Sequence, residues 1–259
     1  MSHYPLRTLK LTLTYDGTRF VGWQRQAEGE SIQGLLETAL ARLEGAPITV
    51  HGAGRTDAGV HALGQVASAS VSFSHDHATV LRSLNAQLPA DVRVLAVDEA
   101  APAFHARFSA RLKTYRYQIA QAPVASPFGR AFAWHVREPL DVAAMQTAAA
   151  TLVGTHDFAA FQSTGSPAAT TVRTIARSEW RRQATGVDGS DPDHLLLYEV
   201  SGDGFLRHMV RTVVGTLVEV GRGWRPPSSI AELLDGGTRG AAGPTAPAHG
   251  LFLVQVEYD

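Results

Sequence analysis

The sequence predicts a two-part α/β protein in which each part is a ferredoxin-like unit and a central, mostly antiparallel sheet forms across the two halves. Three observations carry that expectation. Apolar residues alternate with polar ones in some segments and recur at helical spacing in others. The first hundred residues run strand, helix, strand, strand, helix, strand, the order of a ferredoxin-like unit. A second stretch of similar order begins near residue 110. The expected division is 1–108 and 109–259, with 101–110 as the junction, although no residue-level repeat marks a duplication.

Leu9, Leu11, Leu13 and Tyr15 alternate with Lys10, Thr12 and Thr14, a half-buried strand that Asp16-Gly17 ends in a turn. Ser31 is placed to cap a helix whose apolar stripe is Ile32, Leu35, Leu36, Ala39, Leu40 and Leu43. Pro47 to Val50 reads as a short strand leading into Gly52-Ala53-Gly54, and residues 64–73 alternate again. A helix over His77 to Leu88 stops at Pro89, and Val92, Val94 and Val97 form a closing strand.

In the second half, Thr114 to Ile119 is strand-like and Ala133 to Val136 is expected beside it. Asp141 to Leu152 is Ala-rich and helical, ending at Gly154. Residues 171–182 and 194–200 read as strands around a hairpin loop over 185–193. Phe205 to Val220 is expected as a helix, Ile230 to Leu234 as a shorter one, and Leu251, Leu253 and Val254 as a final strand.

Composition excludes several classes of function. The chain has 259 residues, 44% hydrophobic and 18% charged, which is enough for two modest cores and too apolar for a disordered chain. No stretch approaches the roughly 18–20 uninterrupted apolar residues that span a bilayer. Residues 1–7 hold no apolar signal core, so a cytoplasmic location is expected. With no cysteine there are no disulfides, thiol nucleophiles, iron–sulfur clusters or thiolate zinc sites. His75 and His77 flank Asp76 at a helix start and read as solvated polar residues, not as metal ligands.

The formal net charge of −1 is far from that of a protein that coats nucleic acid. Its local distribution differs. From Pro102 to Arg137 there are six basic residues and no acidic one, followed by Arg173, Arg177, Arg181 and Arg182, then Arg207 and Arg211. Of 23 basic residues only Lys10 and Lys113 are lysine, a skew that fits either genomic base composition or a demand for bidentate phosphate contacts.

The densest chemical segment is Gly52-Ala53-Gly54-Arg55-Thr56-Asp57-Ala58-Gly59-Val60-His61. Taken alone it reads as a hairpin turn capped by Asp57, or as a ligand loop whose glycines admit close approach. A dinucleotide-binding loop is excluded, because Asp57 occupies the third glycine position and a strand pattern follows where a helix should open.

The block Gly54 to Ala62 resembles the catalytic motif of the tRNA pseudouridine synthase A family. Further blocks fit in order: Tyr15-Asp16-Gly17-Thr18-Arg19-Phe20-Val21-Gly22-Trp23-Gln24, Lys113-Thr114-Tyr115-Arg116-Tyr117, Gly154-Thr155-His156-Asp157-Phe158, Gly204-Phe205-Leu206-Arg207-His208-Met209-Val210-Arg211, and Ala248-His249-Gly250-Leu251-Phe252-Leu253. The resemblance implies the pseudouridine synthase fold with RRM-like units. It also implies cofactor- and metal-free isomerisation of uridine to pseudouridine at positions 38–40 of the tRNA anticodon stem–loop, by a homodimer.

On the same resemblance, Asp57 is the catalytic carboxylate and Arg211 its ion-pair partner from the second domain, with the site between the halves. Tyr115 stacks on the target base and takes part in proton transfer at C5. Arg55 holds the flipped nucleotide, Leu251 packs on the base from the other side, and Arg207 and His208 bind substrate. Arg207, His208 and Arg211 are expected to share a helix face. Two rivals remain: an inactive tRNA-binding module, which makes Asp57 dispensable, and a synthase of this fold acting on other RNA sites.

Overall fold

The computed structural model describes residues 5–163, 169–184 and 194–259; the expected hairpin loop over 185–193 lies outside them. The chain is mixed α/β and divides into two compact units. One runs to Arg111 and includes Phe252–Asp259; the other is Leu112–Leu251. The final eight residues, expected with the second half, therefore group with the first, because the last strand joins the first unit's sheet. No helix among the described residues is long and apolar enough to cross a membrane.

In the first unit, β1 (Arg7–Tyr15) lies between β3 (His61–Val71) and β4 (Val92–Ala100), antiparallel to both. The far edge of β3 is shared. β2 (His51–Gly52) pairs antiparallel at Ser68 and Ala67, and β10 (Leu251–Glu257) pairs parallel at His61 and Ala62. The order β4-β1-β3-β2 is the ferredoxin-like arrangement.

Helix α1 (Ile32–Glu44) starts where Ser31 Oγ accepts the Gly34 amide and stops at the left-handed Gly45, burying Ile32, Leu36, Ala39 and Leu40. Helix α2 (His77–Gln87) is capped by Asp76, which accepts the Thr79 amide at 2.7 Å. Asn85 on α2 caps the free edge of β4, donating to the Val94 carbonyl (2.8 Å) and accepting the Val94 amide (2.9 Å). The strand expected over Pro47–Val50 is absent. The Val50 amide and carbonyl are instead held by Glu37 and Gln33 of α1, which removes them from any ladder.

The second unit places β9 (His194–Gly202) between β5 (Leu112–Gln121) and β8 (Val172–Ala184), all antiparallel, with β6 (Trp134–Val136) parallel to β5. A strand the sequence pattern did not reveal, β7 (Gly154–Asp157), adds to the edge of β8. Helix α3 (Val142–Ala150) is capped by Asp141. Helix α4 (Met209–Gly221) is buried along nearly its whole length, and α5 (Ser229–Leu234) follows. The core between sheet and helices is made by Leu152, Phe158, Ile175, Tyr198, Val200, Met209, Val210 and Val213.

Helix α4 begins four residues later than expected. His208 stands before it in the left-handed region (φ 63°), the one non-glycine residue to do so among the described residues. Arg207 and His208 therefore lie outside the helix, and the face expected to join them to Arg211 does not form.

Replacing Asn85 by Ala removes both bonds to the Val94 edge. It is expected to lower stability by roughly 1–3 kcal/mol in urea unfolding. An unchanged midpoint would show that water replaces the side chain without loss.

Candidate functional site

Loop 53–60 between β2 and β3 carries Arg55 and Asp57. Its two sides are fixed by a buried network. Gln65 Nε2 donates to the Gly54 carbonyl (2.9 Å) and to the Tyr15 hydroxyl (3.3 Å), and Tyr15 shares a 2.9 Å hydrogen bond with Thr56 Oγ1. Tyr15, Thr56 and Gln65 are all buried. Burial pushes the Tyr15 phenol up to about 12 against the opposing bonds from Thr56 and Gln65, so it stays neutral. The main chain adds Ala53 N to Val66 O (2.8 Å), Trp23 N to Thr56 O (3.0 Å) and Val60 N to Asp57 O (3.1 Å). With residues 54 and 56 held, Arg55 is exposed and Asp57 is half-buried.

The floor of this loop is the segment from Asp16 to Trp23. Gly22 adopts φ 107°, and a Cβ there would lie 2.6 Å from the Thr56 carbonyl oxygen and 3.0 Å from the Asp57 carbonyl carbon. A Cβ on Gly17 would collide with the Val60 carbonyl. Both glycines are required because two stretches of backbone touch directly.

Beside them, buried His61 stacks on Phe252 with ring centroids 4.7 Å apart. Its Nδ1 lies 3.0 Å from Gly17 N and 3.1 Å from Asp16 Oδ1. That one nitrogen either accepts from the amide or donates to the carboxylate. Partial burial works to raise the Asp16 carboxyl, but the hydrogen bonds from Thr18, together with the neighbouring His61 ring, outweigh it and hold Asp16 below the usual carboxylate range.

The remaining expected residues lie in the second unit. Tyr115 on β5 is buried, with the Phe205 ring edge-on at 5.0 Å. Arg211 occupies the first turn of α4. Its Nε donates to the Ala246 carbonyl (2.7 Å), and its own carbonyl accepts the Ala246 amide (3.1 Å). The Tyr117 hydroxyl donates to the Pro247 carbonyl (2.8 Å), so β5 and α4 together grip the segment leading to buried Leu251. Burial raises the Tyr117 phenol well above its ordinary value, and the Arg211 charge only partly offsets this. Arg207 is exposed, its carbonyl accepting the Ser163 amide (3.1 Å), and His208 is partly exposed.

Arg211 and Leu251 are thus joined through segment 246–251, while Arg207 and His208 occupy the turn before α4. Sequence reasoning missed Tyr15, Thr56, Gln65 and Tyr117. The glycines of the opening block were the available signal, since Gly17 and Gly22, five residues apart, mark a backbone approached from outside.

A family model described as tRNA pseudouridine synthase matches residues 12–109 and 148–259. The chain is 47% identical over 253 residues to the tRNA pseudouridine synthase A of Syntrophotalea carbinolica, covering 98% of this chain and 97% of that one. It is 47% identical to the protein of that name in Pelobacter propionicus (98% and 100% covered). The Geobacter sulfurreducens protein of that name is 46% identical over 257 residues (98% and 100% covered).

Tyr15→Phe keeps the ring but leaves Thr56 and Gln65 without the phenol. A loss of roughly 1–3 kcal/mol in urea unfolding is expected. An unchanged midpoint would show that the network does not hold the loop.

Proposed function

The chain belongs to the tRNA pseudouridine synthase family, and from that premise we propose that it isomerises uridine to pseudouridine at positions 38–40 of the tRNA anticodon stem–loop, with Asp57 as the reacting carboxylate. The observation that carries this reading is the clamped loop. A half-buried carboxylate held on a rigid turn, with an exposed guanidinium two residues away, suits chemistry on an anionic nucleotide. A protein that only bound RNA would gain nothing from a carboxylate facing a polyanion, which weakens phosphate binding.

In the reaction the bond from uracil N1 to the sugar breaks, the base turns over, and C5 bonds to the same carbon. The C5 proton leaves and N1 gains one, so the change is redox-neutral with no net hydrolysis and needs neither cofactor nor metal. Asp57 acts in its ionised form, as nucleophile or base. Tyr115 stacks on the extruded base, an interaction worth roughly 1–3 kcal/mol, and its hydroxyl serves the proton transfer at C5. Arg55 holds the flipped nucleotide, Leu251 packs on the base, and Arg207 and His208 contact the RNA. Arg211 is the cationic member of the proposed catalytic set. The reading includes a homodimer working in the cytoplasm on tRNA.

Asp57→Asn is expected to leave tRNA affinity within a few-fold while turnover ceases; a large loss of binding would make Asp57 structural. Tyr115→Phe keeps the stacking ring, so single-turnover measurement should show a slower reaction with affinity retained, and an unchanged rate would remove the hydroxyl from the mechanism. Mapping pseudouridine in transcripts changed singly at positions 38, 39 and 40 tests the target, and modification elsewhere would favour a synthase for other RNA sites. Activity should persist in EDTA once the magnesium needed for tRNA folding is restored, whereas strict dependence on a transition metal would contradict the cofactor-free route.

A further inference from the structure

On the sheet of the second unit, Glu199 of β9 is 7% exposed and is approached by three guanidinium groups from the two flanking strands. Arg116 of β5 donates from Nε (2.7 Å) and approaches with Nη2 (2.6 Å) at one carboxylate oxygen. Arg177 of β8 donates to the other at 2.6 Å, and Arg181 of β8 stands 3.8 Å away.

Register explains the convergence. Arg116 and Glu179 are the direct cross-strand partners of Glu199, and Arg177 and Arg181 lie two residues either side of Glu179, so all five share one face. Tyr115, next to Arg116 on β5, points to the opposite face. Beyond Ile175 the outer edge of β8 has no strand paired to it among the described residues.

The stoichiometry exceeds what the buried carboxylate needs. One bidentate arginine would neutralise Glu199, yet three gather on it, and Glu179 is the only other acid in the group, 3.4 Å from Arg177. The outer pairs, made by the half-exposed Arg177 and Arg181, add little to stability, about 0–1 kcal/mol each. Burial works against ionising Glu199, but the Arg116 hydrogen bond and the three positive charges outweigh it, holding Glu199 below the usual carboxylate range. It is therefore a fixed anion at neutral pH. Each guanidinium has five N–H donors, more than this carboxylate engages, and the Arg177 and Arg181 side chains remain 45% and 42% exposed. Arginines already immobilised by an internal anion lose less side-chain freedom on meeting a phosphate.

We propose that Arg116, Arg177 and Arg181, ordered by Glu199, form a docking surface for the phosphodiester backbone of RNA. It serves the body of the substrate and not the reacting nucleotide. The proposal rests on the tRNA-modifying function above and adds a binding face to it.

The test is the salt dependence of binding to an unmodified tRNA transcript, for the wild type and for an Arg177→Gln, Arg181→Gln double variant. Each phosphate contact contributes roughly 0.7–0.9 to the slope of log affinity against log salt, so the double variant should lose about 1.4–1.8 from that slope and bind several-fold more weakly. Its melting temperature should stay within a degree or two of wild type. Equal slopes and affinities would show an internal ion-pair lattice and overturn the proposal. A wild type that bound no tRNA would instead overturn the functional reading itself.

Glu199→Gln separates ordering from charge. It removes a negative group, so simple electrostatics predicts tighter binding, whereas loss of the internal anchor predicts weaker binding. Tighter binding by a folded Glu199→Gln protein would contradict the role given to Glu199.

Discussion

The candidate site depends on one direct contact between two stretches of main chain, Gly17–Trp23 beneath Thr56–Val60. No side chain separates them at Gly17 or Gly22, and the Trp23 amide bonds to the Thr56 carbonyl. Close-packed backbones transmit displacement with little give. The position of Asp57 is therefore set by strand β1 and the turn that follows it, as much as by the loop that carries it. The network from Gln65 through Tyr15 to Thr56 adds direction, since it fixes the residues on either side of Arg55 and leaves the guanidinium outside. The carboxylate proposed to act on the nucleotide would need this kind of support.

Charge in this protein works by placement, since the sum is close to zero. A formal charge of −1 says nothing of the three guanidiniums collected on one sheet face, nor of Arg211 tied to Ala246 at the head of a buried helix. The backbone reversal at His208 belongs to the same logic. It interrupts a sequence that would otherwise continue the helix and turns Arg207 outward. Left-handed non-glycine residues persist where the surroundings over-determine them, and this one sits in the turn between Gly204 and the start of α4.

Much of the fold was legible because local and tertiary signals agreed. Helix α1 has its Ser31 cap and its apolar stripe, both visible in sequence. The failures have separate physical causes. Phe205 and Leu206 extend the apolar period of α4, and no periodicity reports a positive φ at His208. Gly154–Asp157 is too polar and short to read as a strand, yet it pairs with the first residues of β8. Pro47–Val50 looks extended, but its last residue bonds to α1 side chains, a pairing 13 to 17 residues distant that composition does not show. For the site, Asp57 and Arg55 stood out through their glycines. Tyr15 and Gln65 read as ordinary strand residues, because only the folded chain reveals that their polar ends meet beneath the loop.

The central claim is that this protein isomerises uridine with the carboxylate of Asp57. Its most direct test is release of tritium from a tRNA transcript labelled at uridine C5, which must accompany formation of the new carbon–carbon bond. The account predicts release by the wild-type protein and none by Asp57→Asn. Equal release by both would take the chemistry away from Asp57, and no release by either, with tRNA still bound, would leave an RNA-binding protein without the activity.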